Sequence, residues 1–109
     1  MNPDEAAELI RESSGQYAQA KAERVYLEEF RRSKKALLMK DALLNGYEAA
    51  NAQEREALAD PEYITLLRGL RAAMENEETL RWQIEAARLE IEIWRTKQAN
   101  ERMIIRSHE

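Results

Sequence analysis

From Asp60-Pro61 to the last residue the sequence holds no further proline and a single glycine, Gly69. Only proline and glycine strongly oppose the α conformation, so this stretch predicts one long helix. Its start is well marked. The residue before a proline avoids α geometry, Asp60 can cap free amides, Pro61 fits the first turn, and Glu62 complements the helix dipole. A helix over about 61–106 follows, roughly 40 residues and ~60 Å long at 1.5 Å per residue.

Its apolar positions alternate by three and four through Tyr63, Leu66, Leu70, Ala73, Glu77, Leu80, Ile84, Ala87, Ile91, Trp94, Gln98, Glu101 and Ile105. This is a coiled-coil-like heptad seam, interrupted at Glu77 and near its end. Trp94 lies on the seam and is expected to be buried, while Trp82 lies off it, next to Arg81. A small domain does not cover a rod of this length. Leu66, Leu70, Leu80, Ile84, Ile91 and Trp94 are therefore the expected oligomer interface, in the first instance of a homodimer. The interruptions favour a short helical bundle over a continuous two-stranded coiled coil.

Asn2-Pro3-Asp4-Glu5 has the pattern of a capping box, opening a short helix over about 3–12. Ser13-Ser14-Gly15-Gln16 is expected to break it and to open a second helix over about 16–44. Asn45-Gly46 supplies the left-handed residue that commonly closes a helix, after which the chain continues or kinks to about 58. In the second helix Ala18, Ala22, Val25, Met39 and Leu43 share one stripe, and Tyr26, Phe30, Leu37 and Leu44 an adjacent one. So wide an apolar face points to more than one neighbour.

The expected fold is all-α: a single domain over 1–109, a helical hairpin with a long C-terminal coiled-coil-like helix, assembled as an oligomeric bundle. The 35% charged and 6% aromatic composition agrees, as does the scarcity of glycine and proline. The N-terminal MNPDEAAELIRESS lacks the basic-then-apolar order of a signal peptide, and no stretch approaches the ~20 apolar residues of a membrane span. No membrane partner is expected, and a cytoplasmic location is.

Chemistry is thinly provided for. The absence of cysteine removes thiolate metal sites, disulfides and cysteine nucleophiles, and the one histidine, His108, is near the C-terminal end. Gly15, Gly46 and Gly69 are isolated, so no phosphate loop is present. Glu5 with Glu8, and Glu75 with Glu78, have the E-x-x-E spacing of magnesium-binding helices. Glu75–Glu78 resembles the first half of the all-α nucleotide pyrophosphohydrolase motif. The second half needs an E-x-x-D, and no aspartate follows Asp60. No enzymatic activity, cofactor, metal or small-molecule substrate is expected.

Net charge is -4 overall, yet its distribution is uneven. Between Lys21 and Lys40 seven bases face three acids, a local excess of four positive charges. Lys21, Arg24, Arg31, Arg32, Lys34 and Lys35, with Tyr26 and Phe30 nearby for stacking, form the candidate nucleic-acid site. The competing reading is that these bases offset acidic partner helices while the aromatics face the core.

Three stretches, KAERVYLEEFRRSKKALLM (21–39), EREALADPEYITLLRGL (54–70) and ETLRWQIEAARLEIEIWRT (78–96), resemble small uncharacterised α-helical proteins encoded by bacteriophages and prophages. In that group the A-x-P-E-Y, E-T-L-R-W and W-R-T segments recur as a set, often encoded near recombination or single-strand-binding genes. The resemblance covers over half the chain and implies a phage origin, a bacterial host cytoplasm and a link to DNA metabolism. It assigns no activity to particular residues. Secretion-system helical hairpins are of similar length but carry W-x-G at the turn, and neither tryptophan here is followed by that glycine.

The functional expectation is a non-enzymatic phage accessory protein, a helical oligomer supporting DNA recombination or replication by weak nucleic-acid binding or through a DNA-metabolism protein. The alternative is a protein-protein interaction module that scaffolds or inhibits a host or phage protein through the seam and Trp82.

Overall fold

The computed structural model describes Met1–His108 and contains three helices, α1 (Pro3–Leu44), α2 (Ala50–Ala59) and α3 (Pro61–Ser107), with no strand among the described residues. α1 opens with a reciprocal cap. The Glu5 amide donates to Asn2 Oδ1 at 2.8 Å, and the Asn2 amide reaches Glu5 Oε2 at 3.4 Å. α3 opens on Asp60, whose Oδ1 accepts from the Glu62 amide at 2.8 Å. Each cap satisfies a donor that a helix start leaves orphaned.

The break expected at Ser13–Gln16 does not occur: α1 runs through it. Ser14 Oγ donates back to the Ile10 carbonyl at 2.6 Å, which keeps the hydroxyl from competing for the backbone, and Ser13 is buried in the packed face of the helix. Gly15 costs about 1 kcal/mol relative to alanine inside a helix, a local preference that packing on both sides of it overrides.

α1 closes at Asn45-Gly46 in a full turn. Gly46 adopts φ 100°, its amide donates to the Leu43 carbonyl at 3.1 Å, and the Tyr47 amide donates to the Ala42 carbonyl at 3.0 Å. This paired pattern is a Schellman motif, and it requires the left-handed residue that glycine supplies most cheaply. Gln53 then reaches back with Nε2 to the carbonyls of Tyr47 and Glu48, tying the loop to the first turns of α2.

The chain divides into two compact units, one of Ala20–Glu77 and one of Met1–Gln19 with the α3 residues from Glu78 onward. In the first, each helix supplies one member of a core cluster, Leu38 from α1, Ala57 from α2 and Tyr63 from α3, with Met39 packed against it. Ion pairs set the register. Lys35 holds Glu54 of α2 at 2.7 Å, while Lys34 holds Glu62 and Arg24 holds Glu77 of α3 at 2.7 and 2.6 Å. Lower numbers on α1 face higher numbers on α3, so the two run antiparallel.

In the second unit Ala6 and Ser13 of α1 and Leu80, Ile84 and Ala87 of α3 are buried. Met1–Pro3 borders a cavity of about 260 Å³ with Glu90, Ile93, Trp94 and Lys97. Here too α1 and α3 are antiparallel.

The inward face of α1 differs from the one the apolar stripes indicate. Ala6, Ser13 and Ala20 are buried at intervals of seven, followed by half-buried Leu27, whereas Ala18, Ala22, Val25, Tyr26, Phe30, Leu37, Leu43 and Leu44 are exposed. Small side chains let helix axes approach closely, so they take the contact line and the larger ones flank it. Among the described residues six of the eleven buried apolar ones are alanine, and no large side chain is fully enclosed. Each alanine removes little apolar area from water, so this core is thin for its length.

Candidate interaction surfaces

The α3 seam is inward for most of its length. Tyr63, Leu70, Ala73, Glu77, Leu80, Ile84 and Ala87 are buried, Leu66 and Ile91 are half-buried, and all of this burial arises within one chain. Of the residues expected at an oligomer interface, Leu70, Leu80 and Ile84 are thus already covered. Trp94, expected to be buried, is 46% exposed. α1 begins beside it at Pro3, so the seam loses its cover at that level. Beyond Gln98 the α3 side chains are exposed, Met103, Ile104 and Ile105 among them.

Glu77, which interrupts the seam in sequence, is 8% exposed and sits in it as one half of an ion pair. Arg24 Nε donates to Glu77 Oε2 at 2.6 Å and Nη2 to Oε1 at 3.0 Å, while Nη1 donates to Glu28 at 3.1 Å. The hydrogen bond to Glu77 is the main reason the guanidinium pKa is raised further above its usual value. The fork geometry of arginine matches a carboxylate, which makes a charge tolerable at a seam position.

The six basic candidates therefore separate into two groups. Arg24, Lys34 and Lys35 are half-buried and engaged with Glu77, Glu62 and Glu54. The Lys34 ammonium is held above its ordinary pKa, chiefly by its hydrogen bond to Glu62. Lys21, Arg31 and Arg32 are exposed. The rings of Tyr26 and Phe30 stack on the surface, 5.9 Å between centroids and 6° from parallel. Next to them a surface groove of about 410 Å³ is lined by Phe30, Lys34, Pro61, Glu62, Thr65 and Leu66.

α3 carries a second apolar stripe outside the seam. Trp82, Ala86, Leu89 and Ile93 are all exposed, Trp82 to 61%. Each lies two residues after an inward position, Leu80, Ile84, Ala87 or Ile91. Two residues on a helix turn by about 200°, so Trp82, Ala86 and Leu89 occupy the opposite face, while Ile93 borders the cavity beside Met1–Pro3. The stripe's four-three-four spacing is visible in the sequence, where the longer seam on the other face outweighs it. Arg81 lies over the Trp82 ring at 4.8 Å from its centroid and pairs with Glu78 at 2.9 Å. Further pairs, Glu85 with Arg88 and Glu92 with Arg95, repeat this at intervals of seven residues.

Among the described residues no group of three or more His, Cys, Asp or Glu side chains is placed to hold a metal ion, and no helix is long and apolar enough to cross a membrane. Comparison of the chain with protein-family models, with curated proteins and with solved structures finds no match in any of the three.

Proposed function

We propose that this chain is a non-enzymatic helical module that binds protein through the outward face of α3. The observation that carries this reading is the exposure of Trp82 and Leu89 on one helical stripe, opposite the face that the fold buries. Tryptophan is costly to leave in water and is enriched at interface centres, and the flanking charges are those of an interface rim. Capture from infected cells with the wild-type chain and with Trp82→Asp tests it. A partner retained after nuclease treatment and lost with W82D supports the reading; capture unaffected by W82D contradicts it.

The second reading is a phage accessory factor in DNA recombination or replication, touching nucleic acid through Lys21, Arg31 and Arg32. The Tyr26–Phe30 stack beside Arg31 and Arg32 favours it, since exposed parallel rings next to cations are a platform for unpaired bases. The engagement of Arg24, Lys34 and Lys35 in ion pairs limits its electrostatic contribution. Salt-sensitive binding of single-stranded DNA that R31Q/R32Q abolishes supports it; binding unchanged in that variant removes it.

A further inference from the structure

We infer that the outward face of α3 around Trp82 and Leu89 receives a basic amphipathic helix of another protein, one carrying lysine or arginine at seven-residue intervals beside an apolar stripe. This rests on the protein-binding reading of that face and names the chemistry of its partner.

Position around the helix orders the charges. Trp82, Ala86 and Leu89 follow a four-three spacing and form the exposed stripe. Glu78 and Glu85 stand four residues before Trp82 and Leu89, and Glu85 and Glu92 stand three residues after them. Four residues back and three residues on both turn the helix by about 40–60° in the same sense, so the three glutamates form a row directly beside the stripe. Arg81 and Arg88 each precede Trp82 and Leu89 by one residue, about 100° round in that sense and nearer the buried seam. A partner lying on the stripe therefore meets the carboxylates first. Arg81 reaches back over one face of the Trp82 ring, 4.8 Å from its centroid, and still leaves that residue 61% exposed.

The acids are open to a further cation. The Glu78, Glu85 and Glu92 side chains are 54, 45 and 65% exposed, each paired with the arginine three residues on. Exposed pairs within one helical turn are weak, and a carboxylate has lone pairs for a second donor. From Glu78 to Glu92 four glutamates stand against two arginines, a local excess of two negative charges. The complement of this surface is apolar at its centre and basic at its edge.

The spacing selects a helix as that complement. Row and stripe both repeat every seven residues, or ~10.5 Å, and a helix packed along α3 repeats at the same distance. An extended strand, whose side chains recur on one face every ~6.7 Å, falls out of register. The glutamate row spans ~21 Å, about four turns of such a partner. Ala86 lies between Trp82 and Leu89, where a small side chain lets the second backbone approach.

The test uses the full chain and labelled three-heptad peptides, with binding read by fluorescence anisotropy. One peptide carries leucine at the seam positions with lysine beside them, a second carries glutamate in place of the lysines, and a third scrambles the first. The lysine peptide is expected to bind at least tenfold more tightly than either control. Glu78→Gln, Glu85→Gln and Glu92→Gln combined should weaken it about tenfold, as should Trp82→Ala, and higher salt should weaken the wild-type complex. All four residues lie outside the core, and unchanged helical circular dichroism confirms that the variants fold.

Equal binding of the lysine peptide and its scramble, tighter binding of the glutamate peptide, or no effect of E78Q/E85Q/E92Q would overturn the inference. So would a concentration-dependent dimer in sedimentation that W82A dissolves, which gives the face to a second copy. If E78Q/E85Q/E92Q leaves capture of the cellular partner intact while W82D abolishes it, the basic helix fails and the protein-binding reading stands. If W82D leaves capture intact, both fail.

Discussion

Arg24 and Glu77 join α1 to α3 by two parallel hydrogen bonds, at 2.6 and 3.0 Å, inside a seam whose neighbouring positions Ala73 and Leu80 are buried. The two partners are not equivalent. Arg24 also holds Glu28 and is half-buried, whereas Glu77 is almost wholly enclosed. Removing the base takes the two-point ion pair from a buried carboxylate, while replacing the acid by an apolar residue restores the seam. Arg24→Met is therefore expected to lower the melting temperature by several degrees, and Glu77→Leu to leave it unchanged or raise it. Thermal unfolding by circular dichroism checks both, and equal destabilisation would show that the pair acts as a simple sum.

Lys34 offers a test by pH. Its pKa is raised in the folded chain above the ordinary 10.5, because Glu62 accepts a hydrogen bond from the charged form. A raised folded value means a stabilising contribution that is complete below the unfolded pKa and is lost as pH rises through the folded one. The stability gap between wild type and Lys34→Gln should be constant from pH 7 to about 9.5 and should narrow above about 10.5. Denaturant unfolding at pH 8 and pH 11 measures it.

The three glycines should respond in opposite directions. Gly46 has φ 100°, where a side chain is strained, so Gly46→Ala is expected to destabilise by about 1 kcal/mol. Gly15 and Gly69 are helical and a Cβ at either meets nothing within 4 Å, so alanine there should stabilise by roughly 0.5–1 kcal/mol each. Chemical denaturation of the three single variants decides this.

Ala57 is the residue through which α2 joins the core, 1% exposed between Leu38 and Tyr63. A larger side chain has nowhere to go without displacing a helix. Ala57→Leu is expected to cost about 1–3 kcal/mol by overpacking, read from the urea midpoint.

Much of this fold is legible in the sequence, for physical reasons that can be located. Asn2-Glu5, Asp60-Glu62 and Asn45-Gly46 are local devices whose partners lie within a few residues, so pattern alone carries them. The Ser13–Gln16 segment misleads because its local preference for a break is outweighed by packing that a local pattern does not contain. The inward face of α1 is hidden for a related reason: its contact line is alanine and serine, and hydropathy follows the larger residues that flank it. Glu77 reads as a defect in the seam until Arg24, 53 residues away, is seen to hold it. The same distance effect removes Arg24, Lys34 and Lys35 from a basic patch that looks continuous in one dimension.

The central claim is that the α3 face bearing Trp82 is open in the single chain, where the proposed protein partner would cover it. Tryptophan emission reports it most directly. In a Trp94→Phe variant Trp82 is the only indole, and in dilute solution it is expected to emit as a water-exposed tryptophan and to be readily quenched by acrylamide. Adding the partner captured by the wild-type chain should shift the emission to shorter wavelength and reduce quenching. A buried-type emission in the free chain, or an exposed one that the partner leaves unchanged, would contradict the account.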